Sequence, residues 1–451
     1  MISLRALRGL RNGDQQGLLH WMLPLMLALI AVATLLSGRD FSLPWSDSDV
    51  VVRHPAVAWI QRGVSLLLLL IAGERIAHHL VSGRSMPAPV LTLAFIAYWA
   101  ASVAAPSLFG AHPRISHEYA YALLLGVAAL LAGQSERVHV VEAARDALLL
   151  FLLASIGVAA VAPNLALDTQ YPRGLLPGVP RFAGLAPHAV TLGMLAQTFL
   201  LCLWARPYGR PALNWAAVAI GLGVVFLAQA KNAWIALMVC SILMLAVRHG
   251  EAMWRRIADP RNPSAGILWC GAIIVGVLGV LGPLLVADLG SRAADFLDSP
   301  EGASLLTLTG RDRIWAIALE EWRASPVFGH GPGIWDEEFR ASINMPNATS
   351  GHNQLMDTLS RSGLVGAIAL VVYAAVLLFL SVRAARATGG LSLALGVALA
   401  LRSMTEVPML LFGYGVELFM HLLLIVTLAS ASAQTTAVPG SLRQAGYRAT
   451  S

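Results

Sequence analysis

Apolar runs long enough to cross a bilayer recur along most of this sequence, and they constrain its fold more than any other feature. Hydrophobic residues make up 57% of the 451 residues and charged residues only 12%, whereas about a quarter of the residues of a soluble domain are charged. The hydrocarbon core of a membrane requires about 20 apolar residues per helix. The sequence therefore predicts an all-α polytopic membrane protein.

On this length criterion the chain contains about twelve transmembrane helices. The predicted spans lie near residues 18–37, 55–73, 86–108, 119–133, 145–163, 184–204, 212–229, 232–248, 265–287, 364–382, 389–405 and 409–429. The second span contains an arginine, Arg62, in its first half. We expect that side chain to snorkel towards water or to face protein instead of lipid.

The arginines of the short loops predict how these helices are oriented. An even number of spans places both termini on one side, and cytoplasmic loops carry an excess of arginine and lysine. Most loop arginines, among them Arg75, Arg145 and Arg248, fall on the side of the termini. We therefore expect both termini in the cytoplasm. The formal net charge of +6 reflects this bias and does not indicate binding of nucleic acid.

One long polar stretch, residues 288–363, faces outward in this topology. It separates nine predicted spans within residues 1–287 from three within residues 364–430, and a polar tail, 431–451, follows them. Apolar residues recur at helical spacing in two parts of the stretch, so we predict that it is partly helical. We expect any chemistry to take place where this loop meets the membrane.

Four cations on the outward side are candidates for binding an anion. Arg181 lies just before the sixth predicted span, and Lys231 lies in the short turn between the seventh and the eighth. Head-group snorkelling or interfacial anchoring would explain either one equally well. Arg311 and Arg313 lie in the first turn of a predicted helix, where free N–H groups favour anions and arginine adds a bidentate donor. Ion pairs with nearby acidic residues are the alternative explanation.

The histidines of the same side supply candidates for a general base. His352 lies between Gly351 and Asn353, a few residues before a span. Histidine is the natural base near neutral pH, although a single histidine is more often structural. His330, in a glycine-rich turn, is a rival base, and His188 is more simply a packing residue. The P-loop, GxSxG, HExxH and CxxC motifs are missing from the sequence, and we predict no metal site.

Together these residues resemble the O-antigen ligase and polymerase family of bacterial envelope enzymes. The resemblance covers residues 180–366 in detail and rests on His352-Asn353-Gln354-Leu355 with Gly363 and Gly366, on Gly310-Arg311 before the glycines at 329–333, and on Arg181 with Gly184 and His188. Lys231 departs from the pattern, because an arginine is expected in that turn and lysine lacks its fork of donors. The resemblance implies a GT-C-like fold in the bacterial inner membrane, with one large periplasmic loop.

The resemblance also implies an activity, the transfer of a glycan from undecaprenyl diphosphate to an acceptor hydroxyl at the periplasmic face. In that reaction His352 would be the base, and Arg181 and Arg311 would stabilise the departing diphosphate. The residues expected to bind the diphosphate or the glycan are Lys231, Arg313, Asn353, His188 and His330. A single displacement would invert the anomeric configuration without a metal or any other cofactor.

Within the family we favour the ligase, whose acceptor is the lipid A–core oligosaccharide, because the chain has one dominant outward loop. An O-antigen polymerase and a protein O-oligosaccharyltransferase remain alternatives. A transporter of lipid-linked glycans or small molecules is the alternative from another class. It would place charges deep in several spans, whereas these spans contain few besides Arg62 and Glu417.

Overall fold

The computed structural model describes residues 17–43, 55–83, 85–169, 176, 178–257, 311–346, 348–413 and 415–436. This part of the chain is mostly helical. Its helices of six residues or more are α1 (Leu18–Leu35), α2 (Pro55–Ser82), α3 (Pro89–Phe109), α4 (Glu118–Leu130), α5 (Gln134–Val161), α6 (Ala189–Ala205), α7 (Pro211–Leu227), α8 (Lys231–Ile257), α9 (Arg311–Ala324), α10 (Glu337–Ser342), α11 (Gln354–Arg383), α12 (Leu391–Ser403) and α13 (Val416–Thr436). Two short antiparallel strands, β1 (Leu167–Asp168) and β2 (Arg181–Phe182), pair between α5 and α6.

Every predicted span except the one at 265–287 coincides with a helix, and that one lies outside the described residues. Six of the described helices are long and apolar enough to cross a membrane, namely α1, α2, α3, α5, α8 and α11. Five further apolar helices, α4, α6, α7, α12 and α13, are shorter. The prediction of a helical membrane protein is confirmed, and the count of twelve spans stays a prediction.

Contacts between helix termini and loops define two distinct ends of the described bundle. At one end, arginines close the gaps between helices by donating to backbone carbonyls: Arg75 to Leu131, Arg145 to Arg206, and Arg248 to Gly389. At the other end lie Arg39, Arg181, Lys231, Arg402 and the start of α11. We call this second end the site end. Among the described residues, these loop cations lie at the two ends to which the sequence assigned them.

The polar segment that precedes α11 has a small apolar core of its own. Its buried members are Ile314, Ala318, Ile334, Trp335 and Ala348, separate from the main core of the bundle. Burying one large apolar side chain stabilises a fold by about 1.5–3 kcal/mol, and this core contains few of them. The segment therefore depends on polar contacts with the bundle to hold its position.

A glycine kink in α11 provides part of that attachment. Gly363 has φ 61° and ψ −159° inside the helix, which opens the backbone there. Carbonyls of the preceding loop accept the freed N–H groups: Leu364 donates to Pro326 at 2.8 Å and Val365 to Val327 at 3.2 Å. A Cβ on residue 363 would lie 2.4 Å from the Val327 backbone, so only glycine fits. The kink thereby locks the loop against the helix that carries the candidate site.

Candidate active site

His352 lies in a strained turn at the site end, immediately before α11. Its φ is +44°, in the left-handed region that side chains other than glycine rarely adopt. Neighbouring contacts hold it there. Asn353 caps α11 by accepting from the Leu355 and Met356 N–H groups at 3.0 and 3.1 Å, and the Gly351 N–H donates to Asp357 at 3.0 Å. Strain that is fixed in this way is a common feature of functional sites.

A buried ion pair supports the turn from below. The Asp357 carboxylate accepts from Arg361 Nε at 3.2 Å, and the two side chains are only 1% and 8% exposed. Arg361 also donates to the Pro332 and Ile334 carbonyls. Asp357 and Arg361 are four residues apart in α11, so they lie on one face of that helix. Removing one partner of such a pair typically costs about 3–5 kcal/mol, so its role here is to fix the position of His352.

Glu406 connects the predicted base to a predicted cation. It lies in the loop between α12 and α13, where its Oε2 is 3.3 Å from His352 Nδ1 and its Oε1 is 3.5 Å from Arg311 Nη2. All three side chains are mostly buried, with between 19% and 26% of each exposed. The structure therefore brings His352 and Arg311 to the same carboxylate.

The charge of Glu406 follows from its surroundings. Burial by itself would raise the pKa of this carboxyl, but the hydrogen bond and charge of His352 and the guanidinium groups of Arg311 and Arg402 outweigh it. The pKa of Glu406 consequently lies below its ordinary value, so the group is a carboxylate at neutral pH. Arg402 also forms an ion pair with Glu417 at the start of α13.

The loop that carries Glu406 is held from two other helices. Asn353 Nδ2 donates to the Met404 carbonyl at 3.2 Å, which joins the cap of α11 to this loop. Asn232, the second residue of α8, donates from Nδ2 to the Thr405 hydroxyl. Residues on three helix termini thus meet beside Glu406.

Lys231 lies next to this contact, because it is the first residue of α8 and directly precedes Asn232. Its side chain is exposed, and no carboxylate of the described residues pairs with it. A cation at a helix N-terminus adds to the positive end of the helix dipole. Such a position is unfavourable alone and attracts an anion.

Arg181 approaches the α7–α8 turn from its other side. Gln229 in this turn, held at φ 50°, accepts from the Leu176 N–H and donates to the Val179 carbonyl, two residues before Arg181. Arg181 itself is buried in strand β2, opposite Asp168. One turn therefore joins the Arg181 segment to the Glu406 loop.

Arg313, His188 and His330 occupy other surroundings. Arg313 donates to the Ile343 carbonyl at 3.2 Å and is exposed. His188 precedes α6 and lines a cavity between α1, α2 and α4. His330 is buried, with Nδ1 2.7 Å from Glu321 and its ring 4.3 Å from that of His112.

His330 is expected to make the protein acid-sensitive. Burial, followed by the charges of His112 and Arg361, lowers the pKa of its imidazole, although Glu321 opposes the shift. The unfolded chain, with a histidine pKa of about 6.5, then binds protons more readily than the folded one. The contribution of His330 to folding stability is therefore fully present above about pH 6.5. It is lost as the pH falls from there towards the lower pKa that the imidazole has in the folded protein. We expect the thermal unfolding temperature in detergent to fall less between pH 7.5 and pH 5.5 for His330→Asn than for the native protein.

The matched control is His249→Asn, which removes an exposed histidine at the opposite end of the bundle. It should keep the native pH dependence. An equal loss of stability in His330→Asn and in the native protein would show that this imidazole is not responsible.

The arrangement can perform general-base chemistry. If His352 donates its Nδ1 proton to Glu406, Nε2 is left as an acceptor, and no described residue hydrogen-bonds to it. A carboxylate in this position fixes the tautomer and stabilises the imidazolium that forms. The described residues contain no group of three or more histidine, cysteine or acidic side chains arranged to hold a metal ion.

Part of this sequence matches a model of a known protein family. Residues 216–371, which are 156 of the 451, match a family model described as O-antigen ligase. The match supports the O-antigen ligase and polymerase superfamily. The predicted resemblance to this superfamily is thereby confirmed for residues 216–371. A comparison with curated proteins found no match to this chain.

The O-antigen ligase region includes Lys231, Arg311, His330 and His352 but ends before Glu406. Sequence reasoning missed that glutamate because it lies in the narrow gap between two predicted spans, 389–405 and 409–429. A signal was present, since an acidic residue in a short loop that faces the predicted cations is costly without a partner.

Proposed function

We propose that this protein is an O-antigen ligase, which transfers a polysaccharide from undecaprenyl diphosphate to the lipid A–core oligosaccharide at the periplasmic face of the inner membrane. The superfamily match supports a glycosyltransferase-type enzyme that acts on lipid-linked glycans. The observation that carries the proposal is the meeting of His352, Glu406 and Arg311 at the site end. The site end is then the periplasmic end, and both termini are cytoplasmic.

In the proposed reaction, His352 Nε2 removes the proton from the acceptor hydroxyl as its oxygen attacks the anomeric carbon of the donor. The bond from that carbon to the diphosphate oxygen breaks, and its electron pair leaves with the diphosphate. The products are an inverted glycosidic bond and undecaprenyl diphosphate, and the imidazolium returns its proton to water. Glu406 stabilises the imidazolium during the step. General-base help of this kind contributes about 10²–10⁴ in rate.

The departing diphosphate requires positive charge at the point where its own charge develops. Arg311 and Lys231 both begin helices, so each combines a side-chain cation with free N–H groups. Arg181 approaches the same turn from its β-strand. Removing one such donor typically costs about 10²–10³ in rate. We propose that these three cations bind the diphosphate, with Arg181 and Arg311 acting in the chemical step, and that Asn353 positions His352.

Three of the predicted binding residues have contacts that suggest more limited roles. Arg313 and His330 contact the loop core and not Glu406, so we propose that they shape the glycan-binding loop. His188 belongs to the cavity between α1, α2 and α4. Because arginine and lysine supply the charge, we propose that the reaction needs no divalent metal.

Reconstitution of the purified protein with lipid A–core and an undecaprenyl-linked glycan tests the proposal. We expect a ladder of glycan on lipid A–core, and the same yield in EDTA as in magnesium. Product that lengthens only on the carrier would indicate a polymerase, and transport without any product would indicate a transporter. Activity that is lost in EDTA and restored by magnesium would contradict metal independence.

A further inference from the structure

A large cavity opens beside the candidate active site, between α1, α2 and α4. Its volume is about 1170 Å³, above the roughly 300–1,000 Å³ of pockets that hold drug-sized ligands. One part has apolar walls, formed by Leu29, Ile30 and Ala33 of α1 and by Val57 and Leu66 of α2. A cavity of this size and lining suits the acyl chains of a lipid.

The other part of the cavity is polar and positively charged. Arg39 and Arg62 line it, against a single carboxylate from Glu118. Desolvation by burial, partly opposed by Asp168, lowers the pKa of Arg39 to about 10, so it remains charged at neutral pH. Histidines 117 and 188 lie on the same lining. The net charge of this lining favours an anion.

Arg62 is the cation that this arrangement leaves available. Arg39 uses its donors on the carbonyls of Leu165, Gly184, Ala186 and Pro187. Arg62 instead is exposed and lies over the Trp59 ring at 4.9 Å, and it pairs with no carboxylate of the described residues. An arginine within a membrane helix requires an anionic partner or water. Planar guanidinium groups bind phosphate oxygens in a bidentate manner.

The depth of Arg62 agrees with the level of lipid head groups. Helix α2 has 28 residues, about eight more than the roughly 20 that cross the hydrocarbon core. Arg62 is seven residues from the start of the helix, about 10 Å along its axis. If the extra residues extend beyond the membrane at the site end, Arg62 lies at the boundary between acyl chains and head groups.

The cavity is distinct from the cation set assigned to the donor but adjacent to it. None of Arg181, Lys231, Arg311 and His352 lines it. It borders their segments through His188, seven residues after Arg181, and through Val416, which adjoins the partner of Arg402. A transferase whose donor and acceptor are both held in the membrane requires two lipid sites that face one reaction centre.

We propose that this cavity binds the phosphorylated lipid portion of the acceptor, with acyl chains against α1 and α2 and a phosphate on Arg62. The assignment rests on the proposed function for the identity of the second substrate. The two substrates then occupy separate sites. The acceptor enters between α1 and α2, and the donor diphosphate binds to the cations around Glu406.

Binding of lipid A to the full-length protein in detergent, measured by thermophoresis, tests the site without requiring turnover. We expect Arg62→Gln to weaken lipid A binding about tenfold, the loss of one charge-assisted contact, and to leave binding of an undecaprenyl diphosphate probe unchanged. Dephosphorylated lipid A should bind the native protein and the variant alike. Ala33→Phe, which fills the apolar part, should weaken binding of both forms of lipid A. Arg255→Gln, an exposed arginine paired with Glu251, is the control.

In the transfer assay, Arg62→Gln should raise KM for the acceptor about tenfold and leave kcat and the donor KM unchanged. Native lipid A binding in both cavity variants would overturn the proposal, as would a selective loss of donor binding. Equal competition by phosphatidylglycerol would overturn the assignment to the acceptor. If the native protein transfers no glycan, the proposed function fails, and the binding measurements still decide whether the cavity holds a phosphorylated lipid.

Discussion

Replacing His352 by alanine is expected to lower the rate of glycan transfer by about 10²–10⁴, the contribution of a general base. Binding of the undecaprenyl-linked donor should change little, because the proposed diphosphate ligands are arginines and a lysine. The measurement is single-turnover transfer to lipid A–core, with donor affinity determined separately. Loss of rate together with native donor affinity would assign His352 to the chemical step.

The backbone conformation of the turn makes a second variant at residue 352 necessary. His352 has a positive φ, and asparagine adopts this region more readily than alanine. His352→Asn therefore preserves the backbone while removing the base, and we expect it to be as inactive as the alanine variant. His139→Ala, an exposed histidine on α5, should retain full activity. Substantial transfer by His352→Asn would exclude His352 as the base.

The second large effect is expected from Glu406→Gln. The amide keeps the size of the side chain but removes the charge that stabilises a protonated imidazole, so we expect kcat to fall by about 10²–10⁴ with a smaller change in KM. The measurement is the kcat and KM of transfer to lipid A–core. A purely structural role for Glu406 would instead lower the thermal stability of the folded protein.

Further variants test whether Glu406 and His352 act as one unit. Glu406→Asp should recover part of the rate, because it restores the negative charge. The double variant His352→Asn/Glu406→Gln should be no slower than His352→Asn alone, because residues that act as one unit show non-additive losses. Fully additive losses would mean that the two residues act independently. Glu251→Gln, an exposed glutamate at the opposite end of the bundle, is the charge-matched control.

Much of the candidate site could be predicted from residue chemistry and position. His352 and Arg311 stand out because polar residues are rare in this chain and costly in a membrane unless they have a function. Glu406 could not be assigned in this way, since its importance comes from contacts with residues 54 and 95 positions earlier in the chain (406 − 352 and 406 − 311). The hydrophobic pattern also does not predict which side chains are buried at the start of α11. The charged residues Asp357 and Arg361 are buried there, whereas Leu355 is 43% exposed.

The sequence by itself determined that this chain forms apolar helices of membrane length, which helix ends carry cations, and that residues 180–366 resemble the O-antigen ligase and polymerase family. Those properties follow from local composition, from loop charges and from motifs of adjacent residues. Only the tertiary structure decided which cations meet the histidine, how Gly363 holds the loop on α11, and that a cavity lies beside Arg62. Each of these depends on contacts between helices far apart in the chain, whose register no local pattern of hydrophobicity specifies.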